Sequence, residues 1–374
     1  MFENVKTPCY IIDCHKLRQN CEILLEVKKQ TGCKILLAQK SYSCYATYPI
    51  ISQYLDGTTA SGLYEAKLGA EFFGKETHIF APAYTDEDFS EIIEICDHIS
   101  FNSLTQLEKH RKKVPENAKI SLRVNPLYSE VETEIYNPCA KFSRFGVLPK
   151  DISKVNLENI QGLHFHTMCE QRADTLARTL PYIENYFGEI LKKMEFLNIG
   201  GGQHITKEGF DISKFCDIIN YLQNKYNLTV YMEPGEAIAL NAGYFVASVL
   251  DIVENERDIA ILDFSAACHN PDILEMPYRP ECMNINNEKC GKIGEKKYSY
   301  RFGGNTCLSG DVIGDYSFDT PLKVGDKIIF LDMAIYSMVK NNTFNGIKLP
   351  DILLYDNNIT IHKQFGYEDF KVRL

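Results

Sequence analysis

Eight short β-rich runs, alternating with polar stretches of helical character, set the tightest limit on how this chain can fold. They are KILLAQ (34–39), QYLDGTTAS (53–61), THIFAPA (77–83), HISFNS (98–103), KISLRVN (119–125), IQGLHFH (160–166), EFLNIGG (195–201) and LTVYMEPG (228–235). Strands that alternate with helices are expected to lie parallel, joined by helical crossovers. Eight such units predict a (β/α)8 barrel over residues 15–240, with a doubly wound open sheet as the competing arrangement. Between the runs, Asp13 is placed to cap a helix through HKLRQNCEILLEVKKQT, and Gly32 to stop it. The segment DTLARTLPYIENYFGEILKKM (174–194) is apolar at helical spacing, and Pro181 is expected to kink it.

After residue 243 the texture changes. YFVASVLDIVE (244–254), DIAILDFSAA (258–267), YSYRFGG (298–304) and KIIFLDMAIYS (327–337) read as strands, with Gly, Asn and Asp turns between them. They predict a β-rich second domain over residues 241–374, joined by residues 1–14, in which PCYIID (8–13) supplies an extra strand. Two domains also suit a chain of 374 residues.

Charge and cysteine content narrow the function classes. The chain carries 40 basic and 50 acidic residues, a formal charge of −10, and no basic stripe, which argues against a nucleic-acid partner. Its 13 cysteines are scattered without CxxC pairs, the pattern of reduced thiols rather than of a disulfide framework or a zinc site. No run approaches ~18 consecutive apolar residues, and MFENVKTPCYIID lacks an apolar signal core. A cytoplasmic protein without a membrane partner is expected.

Barrels of this kind carry their chemistry at the C-terminal ends of the strands. There the sequence places Lys40, Arg123 with Asn125, His164 with His166, Gly200-Gly201-Gly202, and Glu233-Pro234-Gly235-Glu236. Each has an ordinary alternative. Lys40 alone reads as a surface charge. The HxH pair can ligate a metal, although no third ligand stands at helical spacing. Three glycines can form a tight turn, and they lack the GxGxxG spacing of a dinucleotide site. Together they match what pyridoxal 5'-phosphate requires: an amine to attach it, backbone N–H groups for its phosphate, a flat ring to stack on it and a carboxylate for its ring nitrogen.

The order Lys40, RVNP (123–126), RFGV (144–147), GLHFHTM (162–168), NIGGG (198–202) and MEPGE (232–236) resembles the fold-type III pyridoxal-phosphate-dependent decarboxylases, which include ornithine and diaminopimelate decarboxylases. The resemblance begins at TPCYIID (7–13) and continues through CLSGD (307–311), DMAIYS (332–337) and FNG (344–346). It implies the alanine racemase-like architecture of barrel plus β-rich domain. Within the family, EPGEAIA (233–239), HNPDILEMPYRP (269–280) and GNTCLSGDVIGDY (304–316) resemble the branch that decarboxylates carboxynorspermidine and carboxyspermidine to norspermidine and spermidine. Glu236 stands where the wider family usually has arginine, and Leu308 where diaminopimelate decarboxylases usually have glutamate. Both departures suit a substrate whose far end carries ammonium groups. An aspartate common in the strand-two motif is Thr58 here.

The resemblance implies these roles. Lys40 attaches the cofactor, His166 stacks on its ring, and Glu233 pairs with the ring nitrogen. Gly200, Gly201, Gly202 and Gly235 lie along the phosphate, with Tyr336 as a further donor, and Arg123 orients the lysine. Cys307 returns a proton to the reacting carbon, from the second subunit of a homodimer whose active sites lie at the subunit interface. Glu236 and Asp272, then Glu275, Arg279 and Asp311, are candidates for substrate binding. The competing functions are decarboxylation of diaminopimelate, ornithine or lysine, amino-acid racemisation, and metal-dependent hydrolysis through His164 and His166.

Overall fold

The computed structural model describes residues 2–374. The chain divides into two compact units, Arg18–Ile238 and the segment up to Leu17 together with Ala239–Leu374. The first strand, β1 (Cys9–Asp13), belongs to the second of these units.

In the unit Arg18–Ile238, eight parallel strands close into a barrel in chain order. They are β2 (Lys34–Ala38), β3 (Gly57–Ala60), β4 (Glu76–Phe80), β5 (His98–Phe101), β6 (Lys119–Arg123), β7 (Gly162–His164), β8 (Phe196–Asn198) and β9 (Thr229–Met232). β9 pairs with β2 through Lys34↔Tyr231 and Ile35↔Met232, so the sheet has no edge. The open sheet considered above is therefore excluded. Each strand falls at one of the eight runs read from the sequence. The second run began too early, because a turn follows the helix Tyr48–Ile51 and β3 starts only at Gly57.

The helix Cys14–Thr31 starts as its sequence dictates: Asp13 Oδ1 accepts from the N–H groups of His15 and Lys16 at 3.0 and 3.2 Å. It stops at Gly32, which takes φ +71° while its N–H bonds the Lys28 carbonyl at 2.7 Å. The helix Ala173–Leu191 continues through Pro181 as one element.

The register across the barrel ladder sets the level of the strand-end side chains. Arg123 pairs with His164, and His164 with Asn198, so these residues from β6, β7 and β8 stand side by side at the C-terminal rim. Toward the opposite end, His78 and His98 stack at 3.9 Å with planes 13° apart, beside Phe196 and Tyr231.

The other unit is a nine-stranded sheet. Besides β1 it contains β10 (Gly243–Glu254), β11 (Asp258–Leu262), β12 (Cys282–Asn284), β13 (Tyr298–Gly303), β14 (Val312–Phe318), β15 (Lys327–Leu331), β16 (Asp351–Asp356) and β17 (Asn358–Lys363). β1 runs antiparallel to β10 and parallel to β16. Tyr10, Phe245, Phe264, Phe302, Tyr316 and Phe330 form its aromatic core. Among the described residues no helix is long and apolar enough to cross a membrane.

Candidate active site

Lys40 follows β2 on a backbone fixed from both sides. Gln39 is anchored through Nε2 to the Glu65 carbonyl at 2.7 Å and through Oε1 from the Tyr48 hydroxyl at 2.8 Å. The Ser41 N–H turns back to the Ala38 carbonyl at 3.2 Å. The Lys40 side chain is reached by solvent yet closely ringed by protein, as in a recess. That crowding pushes its amine pKa down; Glu233 pulls it up, and Arg123 pushes it down again. A lysine so placed holds a larger share of its amine uncharged, and therefore nucleophilic, than a surface lysine does.

Glu233 is the counter-charge. It follows β9, and its Oε1 accepts from Thr59 Oγ1 at 3.0 Å and from Asn198 Nδ2 at 2.6 Å. Its Oε2 lies 3.7 Å from His164 Nε2. Burial pushes its pKa up, but His164, the Asn198 bond, His78 and Lys40 outweigh it, and the carboxyl is held below its usual range as an anion.

The two histidines separate. His164 is buried at the end of β7, with Nδ1 3.2 Å from Ser100 Oγ, and burial brings its pKa down to about 4. His166 lies beyond the strand. Its Nδ1 accepts the Gly201 N–H at 3.0 Å, which assigns the ring proton to Nε2. Burial, then Lys40 and Arg123, holds it well below the ordinary histidine range. The result is an uncharged flat ring with a fixed orientation.

Arg123 is buried between Phe80 and Phe145, its guanidinium carbon 4.3 and 4.5 Å from their ring centroids. Burial pushes its pKa down to about 10 against the pull of Glu233.

The triple glycine is dictated by close approach. A Cβ at Gly201 would stand 2.2 Å from the Glu233 carbonyl oxygen, and one at Gly202 2.1 Å from that of Met168. Gly200 and Gly202 also take φ +69° and +88°. The N–H of Gly200 bonds Asn198 Oδ1 at 2.9 Å and that of Gly201 bonds His166, so two amides of the expected phosphate cradle are already engaged. Gly235 packs against Ser41, whose Oγ a Cβ would meet at 1.8 Å. Glu236 opens a short turn, its Oε1 2.8 Å from His204 Nε2.

The barrel unit thus brings together Lys40, Arg123, His164, His166, Glu233 and the glycines. The remaining candidates belong to the other unit. Cys307 is exposed, and its N–H bonds Asn345 Oδ1 at 2.8 Å. Tyr336 takes φ +58°. Asp272 and Glu275 both pair with Lys340, at 2.5 and 2.8 Å. Arg279 lies 4.8 Å over the Tyr316 ring. Asp311 is buried and accepts from Ser265 Oγ, Thr306 Oγ1 and the Ala267 N–H at 2.8, 2.6 and 3.3 Å, a carboxylate fully used in tying its own loop.

Three residues with positioning roles were missed. Thr59 and Asn198 fix Glu233, and Ser100 fixes His164. All three lie inside motifs quoted above, as neutral donors whose acceptors only the fold identifies.

The chain matches the family model described as pyridoxal-dependent decarboxylase, C-terminal sheet domain, over residues 9–334. It is 44% identical to a carboxynorspermidine/carboxyspermidine decarboxylase of Campylobacter jejuni, over all of this chain and 99% of that one. It is 40% identical to a carboxyaminopropylagmatine decarboxylase of Synechocystis, over 99% of this chain and 96% of that one. The crystal structure of carboxynorspermidine decarboxylase from Campylobacter jejuni in complex with norspermidine superimposes with a TM-score of 0.92 at 42% identity, covering 99% of this chain and 100% of that one. A lysine facing a fixed carboxylate in a parallel barrel, a sheet domain beside it in the sequence, and matches of this extent lead to one conclusion: this chain belongs to the pyridoxal-dependent decarboxylases with a C-terminal sheet domain.

Proposed function

We propose that this enzyme removes the carboxylate from a carboxylated polyamine, carboxynorspermidine or carboxyspermidine, to give norspermidine or spermidine. The observation that carries the chemistry is Glu233, pinned by Thr59 and Asn198 and held ionised in electrostatic contact with Lys40. The residues fit pyridoxal phosphate: an amine in a recess, an uncharged flat histidine, and a glycine turn whose space any Cβ would fill. When bound, the cofactor supplies an electron sink for the pair that a departing carboxylate leaves behind.

Lys40 would hold the cofactor through its amine. His166 would offer its uncharged ring to the cofactor, and Glu233 its negative charge to the ring nitrogen. Gly200, Gly201, Gly202, Gly235 and Tyr336 would hold the cofactor's phosphate. Arg123, fixed between two aromatic rings, supplies a permanent cation that disfavours charge on Lys40 and His166. Glu236 and Asp272 are the first candidates for the substrate amines, with Glu275 and Arg279 behind them.

Cys307 returns the proton, and we infer that it comes from the second subunit of a homodimer with active sites at the subunit interface. Cys307→Ala should slow product formation roughly 10²- to 10⁴-fold and leave cofactor absorbance unchanged. Activity within error of wild type would remove the thiol from the mechanism. We further assign residues 15–240 to cofactor binding and 1–14 with 241–374 to the sheet domain. All thirteen cysteines are free, which suits a cytoplasmic enzyme.

A second reading follows from the 40% identical relative: a substrate ending in guanidinium rather than ammonium. Carbon dioxide release from carboxynorspermidine, carboxyspermidine, carboxyaminopropylagmatine, diaminopimelate, ornithine and lysine separates the readings. The first two should give the highest kcat/KM. Preference for any other substrate sinks the proposal.

A further inference from the structure

Within the barrel unit, two loops and the exit of β9 build a second arrangement. The Gln171 N–H donates to the Gly202 carbonyl at 2.9 Å and the His204 N–H to the Gln171 carbonyl at 3.0 Å, clamping the loop after β7 to the loop after β8. Thr206 Oγ1 donates to the Ala237 carbonyl at 2.6 Å, tying the second loop to the turn that carries Glu236. Glu170, His204 and Glu236 converge as a result. One ligand atom from each lies within 4.8 Å of the other two.

His204 points to a ligand. It is 3% exposed, and neither ring nitrogen has a hydrogen-bond partner. Its Nε2 stands 2.8 Å from Glu236 Oε1 without hydrogen-bond alignment. A buried imidazole is normally satisfied, and leaving it so is unfavourable. Burial and then the Glu236 charge push the Glu170 pKa up, so the two carboxylates repel each other. A cation between them would satisfy all three groups at once.

The donor count favours an ammonium. A primary ammonium has three N–H donors for three acceptors, whereas a guanidinium presents five in a rigid plane. Cys169, adjacent to Glu170, interacts electrostatically with Glu170, Glu236 and Lys40, so the cluster neighbours the reactive amine. Arg172, Lys207, Glu208 and Phe210 complete the cleft that Glu170 and His204 line.

We propose that Glu170, His204 and Glu236 form the subsite for the terminal primary ammonium of the substrate, and that Glu170 and His204 make the site prefer ammonium-ended over guanidinium-ended carboxypolyamines. This rests on the carboxypolyamine reading above.

The test compares carboxyspermidine with an analogue in which a methyl group replaces the terminal ammonium, using wild-type holoenzyme, Glu170→Gln and His204→Asn. Removing the ammonium should cost the wild type about 10- to 100-fold in kcat/KM. In Glu170→Gln that penalty should fall by about 3-fold or more, because substrate and variant lose part of the same interaction while Glu236 remains. The penalty is read as a ratio within each variant, so a change common to both substrates cancels. Glu170 is exposed, so its variant carries the test even if His204→Asn does not fold. An unchanged penalty in a wild type that does use carboxyspermidine overturns the subsite and leaves the proposed function standing. Failure of the wild type on every carboxypolyamine overturns the function reading and the subsite with it. One equivalent of zinc or manganese, held by the wild type and lost in His204→Asn, would replace the ammonium assignment with a metal site.

Discussion

Lys40→Ala should lose roughly 10³- to 10⁶-fold in kcat, the range seen when an essential nucleophile is removed. The loss should be one of chemistry and not of fold. The neighbours of Lys40 are held by Tyr48, Glu65 and Ala38, none of which needs its side chain. Crowding by protein lowers the Lys40 pKa, which means that the folded state disfavours its charge. Below that lowered pKa the wild type carries this unfavourable charge and the variant does not. With the cofactor removed from both, the melting temperature of Lys40→Ala should therefore equal or exceed that of the wild type near neutral pH. Borohydride treatment should fix the cofactor to Lys40 in the wild type and to nothing in the variant, as read by peptide mass. Trapping at another lysine, or retained turnover, would move the attachment site elsewhere.

Glu233→Gln is the second large effect. We expect kcat to fall about 10²- to 10³-fold, the scale set by removing one pre-oriented electrostatic partner from a protected site. The substitution is nearly isosteric. The amide oxygen can take the place of Oε1 and still accept from Thr59 and Asn198, so the local frame should persist. What disappears is the negative charge that supports His164, Lys40 and Arg123. The visible absorbance maximum of the holoenzyme should shift as the ring nitrogen loses its proton, while far-ultraviolet dichroism stays constant. A kcat within about 3-fold of wild type would deny Glu233 that role.

Much of this was legible in the sequence, and for identifiable reasons. Barrel strands are buried on both faces, so they read as short apolar runs, and all eight could be placed. Asp13 and Gly32 marked one helix because capping is local chemistry. β12, β14, β16 and β17 went unread: β12 is three residues long, β14 (VIGDYSF) is broken by Gly314 and Asp315, β17 (NITIHK) is largely exposed, and its partner β16 gains meaning through pairing with β1. At the site, Lys40, His166 and Glu233 were found as titratable groups at strand ends. Thr59, Asn198 and Ser100 were not, because a neutral donor is informative only once its acceptor has been located. Asp311 shows the converse. It stood in a motif suited to substrate binding, but its oxygens are committed to Ser265, Thr306 and the Ala267 amide.

The two donors on Glu233 Oε1 come from β3 and β8, separate staves of the barrel. The carboxylate therefore cannot swivel without breaking bonds to two strands. In solution an anion and its solvent must rearrange each time charge shifts nearby. Here the dipoles that would have to move are already aligned and covalently part of the wall, so the rearrangement is completed when the chain folds and is not repeated in each catalytic cycle.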